Sequence, residues 1–356
     1  MAPKRARYRT GNEALDARIA DLVEAAGVHR DLDLVFEMVV SAVRMGREAA
    51  DRGDLKLANA ALKELRYSFL VFEPYAAVPK VSIFGSARLR PGDPSYEVAR
   101  DFGALMAAQD WMVITGAGPG IMEAGIEGAG ADRAFGVNII LPFESEPTPL
   151  LVGDPKLINY RYFFTRKVTF MKESSAFALL PGGFGTMDEL FELLTLMQTG
   201  RTATAPIVLL EPEGGTYWPA LLQFLEAEHA RRGLISPQDL CLVRRCDTPA
   251  DAVAEITGFY ETYHSQRYVG RRLVLRLRHE LDDAAVARLD EEFADLVVRG
   301  GIERTEASPS EVEDDDVPDL PRLALHFDRS SFARLRLLID AVNAEGRRVR
   351  GEPATR

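Results

Sequence analysis

The chain has little cysteine: only Cys241 and Cys246 occur among its 356 residues. The two thiols lie close together without partner ligands for a metal, which argues against a zinc site. No run of about 18 apolar residues is present, so no segment is predicted to span a membrane. The sequence also lacks an apolar signal segment, and with two thiols this indicates a reducing, cytoplasmic location.

The chain also lacks an excess of positive charge. Acidic residues outnumber basic ones by 54 to 43, giving a net charge of −11. A protein that binds nucleic-acid polymers or anionic membranes usually has a basic surface, so neither partner is predicted. The basic stretch 4–9 is interpreted as a solvated tail. Five histidines are scattered, and they form no Ser-His-Asp or metal-binding pattern, so neither a metal nor a cofactor is expected.

Apolar segments predict an α/β fold. Residues 11–76 have helical periodicity and carry no catalytic signature, so we expect a helical extension packed on the core or on a partner subunit. From residue 79 onward, short apolar runs alternate with helical segments, which is typical of a doubly wound parallel sheet with helices on both faces. The six strands predicted for this sheet are 81–84, 111–115, 137–141, 176–180, 207–210 and 240–243.

A smaller α/β appendage is predicted beyond the sheet. It contains strands at 273–277 and 323–327 and helices at 282–298 and 332–342. The acidic run 311–316 is interpreted as part of a solvated loop. The predicted domains are an extension at 1–76, a Rossmann-like core at 77–265, the appendage at 266–345 and a tail at 346–356.

The most informative stretch is 181–189, which reads PGGFGTMDE. It follows an apolar strand and opens into a helix, so its glycines leave backbone N–H groups and the positive end of a helix dipole accessible to an anion. Gly182, Gly183, Gly185 and Thr186 are the predicted phosphate contacts. An alternative is purely structural, because Thr186 and Glu189 have the spacing of a helix capping box.

Two further glycine turns follow predicted strands, and ligands of such folds bind at the carboxyl ends of the strands. One turn contains Gly85 and Ser86, and the other contains Gly118 and Gly120. The second turn, GAGPG, does not match the dinucleotide fingerprint G-x-G-x-x-G, so a nucleoside monophosphate is the simpler ligand. Tight turns that serve packing alone are the alternative.

Four charged residues lie next to these turns. Arg166 and Lys167 precede the key strand, where an arginine fork would bind phosphate or carboxylate; a surface pair is the alternative. Glu123 and Glu189 begin the helices after two of the turns. A carboxylate beside a phosphate would repel it, so a functional one should face the sugar. There it could stabilise the positive charge that develops as an N-glycosidic bond breaks.

These residues closely resemble the Lonely Guy (LOG) family, long mislabelled as lysine decarboxylases. The resemblance covers about 79–263 and is carried by the Arg166-Lys167 pair, the 181–189 string, and the turns at 85–88 and 118–124. It implies Arg166 and Glu189 as the catalytic pair, with Gly183, Gly185 and Thr186 on the phosphate. Ser86 and Glu123 are lesser contacts. Ala117 departs from the usual GGGPG-type turn, which leaves substrate fit there open.

The resemblance implies a Rossmann-like homodimer or higher assembly of the longer bacterial type. Its activity would be hydrolysis of a nucleoside 5′-monophosphate, such as AMP or a cytokinin riboside monophosphate, to free base and ribose 5-phosphate. Decarboxylation is disfavoured, because it normally needs an electron sink such as pyridoxal phosphate, and no lysine has a recognisable setting for one. A non-catalytic nucleotide-binding protein, or a molybdenum-cofactor carrier of the same fold, is the alternative.

Overall fold

The computed structural model describes residues 8–48, 50–141 and 147–352. Most of the tail predicted at 4–9 and the last four residues of the chain lie outside this described part. The chain divides into two compact units between Phe69 and Leu70. Beyond this division, the predicted separation of core and appendage stays a prediction.

The first unit is helical, as predicted. It contains α1 (Glu13–Ala25), α2 (Leu32–Arg47) and most of α3 (Arg52–Phe72). Asn12 begins α1 by accepting a hydrogen bond from the backbone N–H of Leu15 (3.1 Å), as helix-capping residues do. Ile19 and Ala20 of α1 form a small apolar cluster with Phe36 and Val40 of α2. The unit is therefore built on a short helical pair.

The second unit contains a seven-stranded parallel sheet in the order β4-β3-β2-β1-β5-β6-β7. This confirms the predicted fold class. The strands are β1 (Lys80–Phe84), β2 (Met112–Thr115), β3 (Ala134–Ile139), β4 (Leu157–Tyr160), β5 (Ala176–Leu179), β6 (Ile207–Leu210) and β7 (Val243–Cys246). The helices between them are α4 (Pro94–Ala108), α5 (Ile121–Ala129), α6 (Phe163–Glu173), α7 (Phe184–Gln198), α8 (Tyr217–Phe224) and α9 (Pro249–Phe259).

Alternate side chains of the central strands face two separate cores, because successive residues of a strand point to opposite faces. Val81 and Ile83 of β1 pack in the core that includes α4, α5 and α9. Phe84 packs in the other core with Phe170 of α6 and Leu190 of α7. Burial on both faces explains why the central strands read as continuous apolar runs.

The structure differs from the prediction at three strands of this sheet. β4 was not predicted, and β3 begins three residues earlier than expected. The sixth predicted strand, 240–243, is mostly a 3₁₀ helix (Pro237–Leu242) that Ser236 caps, and β7 follows it. β4 and β7 are the edge strands, and each has exposed polar residues, such as Asn159 and Arg244, that interrupt the apolar pattern.

The appendage forms a second, antiparallel sheet in the order β10-β11-β9-β8. Its elements are β8 (Tyr263–Val269), β9 (Arg272–Leu277), α10 (Asp283–Glu292), β10 (Glu303–Thr305), α11 (Pro309–Glu313), β11 (Arg322–Leu325) and α12 (Phe332–Arg350). β8 and β10 were not predicted. α12 extends well past the predicted end at residue 342, so the tail expected from residue 346 is helical as far as Arg350.

The acidic run at 311–316 is only partly the solvated loop that was predicted, because 312–315 are exposed but Glu311 is buried and belongs to α11. Glu311 is 1 % exposed and lies against two buried arginines, Arg276 of β9 and Arg322 of β11. Asp316 forms a two-point hydrogen bond with Arg276 (3.0 and 2.6 Å). The charge pattern was misleading because the partner arginines are distant in sequence and carried by strands of the sheet.

Candidate functional site

The three glycine turns follow β2, β1 and β5, which are adjacent in the sheet. All three turns therefore lie at the carboxyl edge of the strands. From β1 the chain adds β2, β3 and β4 in turn on one side of β1. It then returns to add β5, β6 and β7 on the other side. The turns after β1 and β5 consequently flank the topological switch point, where open α/β sheets bind ligands.

Ser86 ties the three turns together through its backbone. Its N–H donates to the carbonyl of Pro181 (3.1 Å), and its carbonyl accepts from the N–H of Ile121 (3.0 Å). Gly120 has a φ of +74°, and a Cβ there would lie 2.3 Å from the Ser86 carbonyl oxygen. A Cβ on Gly85 would lie 2.6 Å from Cγ2 of Ile121. Gly85 and Gly120 are thus required for close approach of the turns, which the backbone of Ser86 joins.

The second turn contains a strained residue. Ala117 has a φ of +56° and is fully buried, and its N–H donates to Oγ1 of Thr115 (3.0 Å). Its methyl group faces Gly136 of β3, where a Cβ would come within 2.9 Å of it. This methyl group is therefore packed into the core. Gly118 follows it, and a Cβ on Gly118 would lie 2.7 Å from Cε of Met122.

The third turn leads directly into α7, whose N-cap is Gly183. Thr186 is therefore the third residue of the helix, so the capping-box interpretation of Thr186 and Glu189 is wrong. Gly183 and Gly185 are exposed, and a Cβ on either would meet no atom of the described residues within 4 Å. The first N–H groups of a helix have no partner within it, so this end of α7 presents backbone donors to an anion.

Gly182 is held from two sides. The hydroxyl of Thr186 folds back over it, and a Cβ on Gly182 would lie 2.1 Å from that oxygen. On the other side, the hydroxyl of Tyr217 donates to the Gly182 carbonyl (2.6 Å). The N–H of Tyr217 in turn donates to the buried carboxylate of Glu211 (3.0 Å). Tyr217 was not predicted from the sequence, because it lies 35 residues from Gly182 and belongs to no motif.

Arg166 of α6 reaches over the second turn. Its Nε donates to the carbonyl of Val137 (2.8 Å), and one terminal nitrogen would lie 2.3 Å from a Cβ built on Gly116. The guanidinium carbon is also 5.3 Å from the centre of the Phe170 ring. Arg166 is half-buried, so it is not a surface residue of the kind that the alternative interpretation required.

Lys167 points to the neighbouring helix and connects to three carboxylates of α7. Its Nζ lies 2.9 Å from Oδ2 of Asp188, 3.9 Å from Oε2 of Glu189, and in hydrogen-bond contact with Glu192. Burial disfavours the charged form of Lys167, but the hydrogen bonds to Glu192 and Asp188 outweigh burial and raise its pKa. Lys167 therefore stays protonated and joins α6 to α7.

Glu189 is the most unusual residue of this edge. It is 6 % exposed, and its Oε2 has no hydrogen-bond partner within the described part of the chain. Burial raises the pKa of its carboxyl to about 7, although nearby Lys167 and Arg166 favour the charged form. A buried carboxyl with an unpaired oxygen and a pKa near neutrality can accept or release a proton at physiological pH.

Glu123 lies on α5, beside the second turn. It is half-buried and accepts a hydrogen bond from Oγ1 of Thr148 (3.3 Å), and the N–H of Thr148 donates to the carbonyl of Ala117 (2.8 Å). Thr148 was not singled out from the sequence.

Within the described ranges, no group of three or more His, Cys, Asp or Glu side chains could hold a metal ion. No helix of the described residues is long and apolar enough to cross a bilayer.

Comparison with known proteins gives sequence matches over part of the chain. The family profile described as "Possible lysine decarboxylase" matches residues 119–256. Probable cytokinin riboside 5'-monophosphate phosphoribohydrolase LOGL5 of Oryza sativa subsp. japonica is 28 % identical over 177 residues, which is 48 % of this chain and 68 % of the relative. Cytokinin riboside 5'-monophosphate phosphoribohydrolase LOG1 of Arabidopsis thaliana is 39 % identical over 92 residues, 26 % of this chain and 40 % of the relative.

Solved structures are similar over about half of the chain. The molybdenum cofactor binding protein from Rippkaea orientalis covers 51 % of this chain, with 96 % of its own length aligned, at 17 % identity and a TM-score of 0.37. The Moco carrier protein from Chlamydomonas reinhardtii also covers 51 %, with 96 % of its own length aligned, at 18 % identity and a TM-score of 0.34. The fold assignment above rests on sheet topology and not on these likenesses.

Proposed function

Because the chain belongs to the LOG family, on the match of residues 119–256 and the plant relatives, we propose that it hydrolyses the N-glycosidic bond of a nucleoside 5′-monophosphate. The products would be the free base and ribose 5-phosphate, and the substrate would be AMP or a cytokinin riboside monophosphate. The observation that carries the proposal is the buried, unpaired carboxyl oxygen of Glu189 next to an exposed glycine helix start.

The proposed phosphate site is the N-terminus of α7. Gly183, Gly185 and Thr186 supply backbone N–H groups there, and Gly182 provides close approach. Arg166 reaches the same edge over the second turn and adds positive charge. We assign supporting contacts to the sugar or phosphate to the remaining edge residues, which are Gly85, Ser86, Gly118, Gly120, Glu123 and Lys167. Binding of the remote phosphate then positions the ribose for reaction.

We propose that Glu189 acts on the sugar. In its carboxylate form it stabilises the positive charge that develops at C1′ as the C1′–N bond breaks. It also accepts a proton from the attacking water, whose oxygen bonds to C1′. That proton ends on the nitrogen of the departing base, so Glu189 returns to its starting form. A pKa of about 7 suits this exchange at neutral pH.

The proposal includes a homodimer or higher homo-oligomer. Large apolar side chains are exposed on α6 and α7, which the Lys167 contacts join. They are Phe163, Phe164, Val168, Phe184 and Phe191, and Phe184 is 96 % exposed. A second copy would remove this apolar surface from water. Sedimentation equilibrium of the wild type and a Phe163→Ser/Phe164→Ser variant tests this, and a monomeric wild type would contradict it.

A cytoplasmic location also belongs to the proposal, and both cysteines are free thiols, Cys241 exposed and Cys246 buried.

The catalytic proposal is tested by incubating the protein with AMP, CMP, GMP and a cytokinin riboside monophosphate and detecting free base by chromatography. We expect Glu189→Gln to reduce base release by about 10²- to 10³-fold. The matched control Glu226→Gln changes a surface carboxyl on another helix and should leave the rate unchanged.

Undiminished turnover by Glu189→Gln would contradict the assignment of Glu189. Tight binding of a nucleotide by the wild type, with no base released from any member of the panel, would favour the alternative of a non-catalytic nucleotide-binding or carrier protein. The same panel identifies the preferred base.

A further inference from the structure

A cavity lies at the edge of the parallel sheet opposite the glycine turns. It has a volume of about 680 Å³ and is lined by the segment entering β1, the segment entering β5, the end of α9 and parts of β8 and the turn after β9. We call it the amino-edge pocket. Its lining residues include Lys80, Trp111, Lys172, Tyr260, His264 and Arg278. None of them belongs to the three glycine turns, so the pocket is separate from the candidate catalytic edge.

The amino-edge pocket is rich in positive charge although the chain has a net charge of −11. Lys80 is 2 % exposed, and its ammonium donates to the carbonyls of Tyr75 (2.7 Å) and Val78 (2.8 Å). Carbonyl oxygens hold the ammonium in place but do not neutralise its charge. Lys172 pairs with Glu173, the one carboxylate among the lining residues (2.5 Å). Lys80 and Arg278 therefore supply positive charge in addition to the Lys172–Glu173 pair.

The position of Arg278 is fixed at the wall of the pocket. The side-chain Nε of Arg278 donates to the carbonyl of Tyr260 (2.8 Å), and its backbone N–H donates to the carbonyl of Thr262 (2.7 Å). His264 lines the same wall, and burial together with the nearby charges of Arg278 and Arg276 lowers its pKa. Arg278 thus places a fixed positive charge on this side of the cavity, which favours an anion.

Aromatic rings form another wall of the pocket. The rings of Trp111 and Tyr260 lie 6.0 Å apart with an angle of 50° between their planes. The hydroxyl of Tyr260 donates to the carbonyl of Ser175 (2.6 Å), which fixes the ring against the start of β5. Flat apolar surface next to fixed cations is the arrangement that binds a planar ring carrying phosphate groups.

We propose that the amino-edge pocket binds a small phosphorylated molecule with a planar ring, at a site distinct from the catalytic edge. The phosphate groups contact Lys172 and Arg278, the buried ammonium of Lys80 adds positive charge without direct contact, and the ring lies against Trp111 and Tyr260. This proposal does not depend on the proposed catalytic function, because the two sites share no residue.

Tryptophan fluorescence gives a direct test, because the chain has only two tryptophans. Trp218→Phe in the full-length chain leaves Trp111, in the pocket wall, as the sole reporter. We expect a saturable fluorescence change on titration with ATP, a weaker saturable change with inorganic tripolyphosphate, and none with adenosine. Lys172→Glu should raise the apparent Kd for ATP at least tenfold. Arg271→Glu, which reverses an exposed charge outside the pocket, should change it less than twofold.

Calorimetric titration of the chain that keeps both tryptophans makes the test independent of Trp218→Phe. In that chain, Arg166→Ala weakens ATP binding at the catalytic edge. The ATP binding that remains, at the amino-edge pocket, should be lost when Lys172→Glu is added. The proposal is overturned if ATP produces no saturable signal in either experiment. It is equally overturned if Lys172→Glu leaves the ATP affinity unchanged.

Discussion

Oε2 of Glu189 lies 3.9 Å from Nζ of Lys167, too far for a hydrogen bond, and it has no other hydrogen-bond partner in the described part of the chain. The ammonium is instead held closer to Asp188 and Glu192. The nearby Lys167 ammonium therefore compensates the charge of the buried Glu189 carboxylate only in part. Its carboxyl keeps a raised pKa, and this has a consequence for stability that can be measured apart from catalysis.

The first prediction concerns the pH dependence of folding. The folded protein binds the Glu189 proton more tightly than the unfolded chain does, so the free energy of unfolding should fall as pH rises from about 4.5 to about 7. The contribution of this one group is up to about 3 kcal/mol. Glu189→Gln removes it, so the variant should match the wild type at pH 4.5 and exceed it in stability at pH 8.

Urea denaturation at the two pH values measures this difference. Glu226→Gln, on the surface, should track the wild type at both pH values. A Glu189→Gln variant that is less stable than the wild type at pH 8 would show that the carboxylate is satisfied in the folded state, contrary to the geometry.

The central strands and the placement of the glycine turns could be predicted from the sequence. β1, β2, β5 and β6 are buried on both faces and therefore read as unbroken apolar runs. Parallel strands bring their carboxyl ends to one edge, so the positions of the turns follow from strand order alone. Edge strands β4 and β7 have exposed polar residues and fell outside the apolar criterion.

Contacts between distant segments could not be predicted. The bond from Tyr217 to Gly182 and the burial of Glu311 between Arg276 and Arg322 join residues of different elements. Charge and capping patterns are local, so 311–316 was predicted to be solvated and Thr186 was interpreted as a possible cap. At 311–316 tertiary packing sets the outcome, and a single sequence carries no local signal of it. Thr186 is not a cap because α7 already begins at Phe184.

The second prediction separates phosphate binding from folding at the start of α7. Gly185→Ala adds a methyl group where the described atoms leave open space, and alanine favours a helix, so stability should stay equal or rise by up to about 1 kcal/mol. The same methyl group would obstruct a phosphate docked on the backbone. We therefore expect KM for a nucleoside monophosphate to rise at least tenfold with little change in thermal stability.

Gly258→Ala is the matched control, because Gly258 is also helical, has open space around its Cβ position and lies on α9. It should give the same stability change with KM unaltered. An unchanged KM in Gly185→Ala would place the phosphate away from this backbone. Steady-state kinetics and a thermal melt on both variants suffice for the comparison.

The third prediction concerns Tyr217 as a positioning residue. Tyr217→Phe removes the hydrogen bond to the Gly182 carbonyl, which should cost about 1 kcal/mol of stability. Because Gly182 begins the phosphate turn, a loosened turn should also raise KM severalfold while kcat changes less. Tyr260→Phe is closely matched, since its hydroxyl also donates to a backbone carbonyl at 2.6 Å, on the opposite edge of the sheet.

Equal stability losses in Tyr217→Phe and Tyr260→Phe, with a KM effect in Tyr217→Phe alone, are the expected pattern. If both variants keep the wild-type KM, the Tyr217 hydroxyl stabilises the fold and has no part in positioning the turn.

The fourth prediction concerns the buried charges of the appendage. Burial disfavours the Glu311 carboxylate, but hydrogen bonds from Ser308 and Arg276 outweigh this and lower its pKa to about 2. Its stabilising contribution is therefore complete above about pH 4.5 and is lost as pH falls from there towards 2. Glu311→Gln leaves Arg276 and Arg322 without their shared carboxylate and should cost about 3 kcal/mol at pH 7.

The control Glu313→Gln changes an exposed carboxyl of the same short helix and should stay within about 0.5 kcal/mol of the wild type. Denaturation at pH 7 and pH 3 distinguishes the two, since the gap between wild type and Glu311→Gln should narrow at pH 3, where Glu311 is protonated in the unfolded chain but still largely ionised in the folded protein. Glu189 makes the opposite contribution, because its ionisation destabilises the folded state above pH 4.5. The contributions of these two groups together are therefore most favourable in mildly acidic solution, and a difference in stability between Glu189→Gln and the wild type that does not grow from pH 5 to pH 8 would contradict the assigned environment of Glu189.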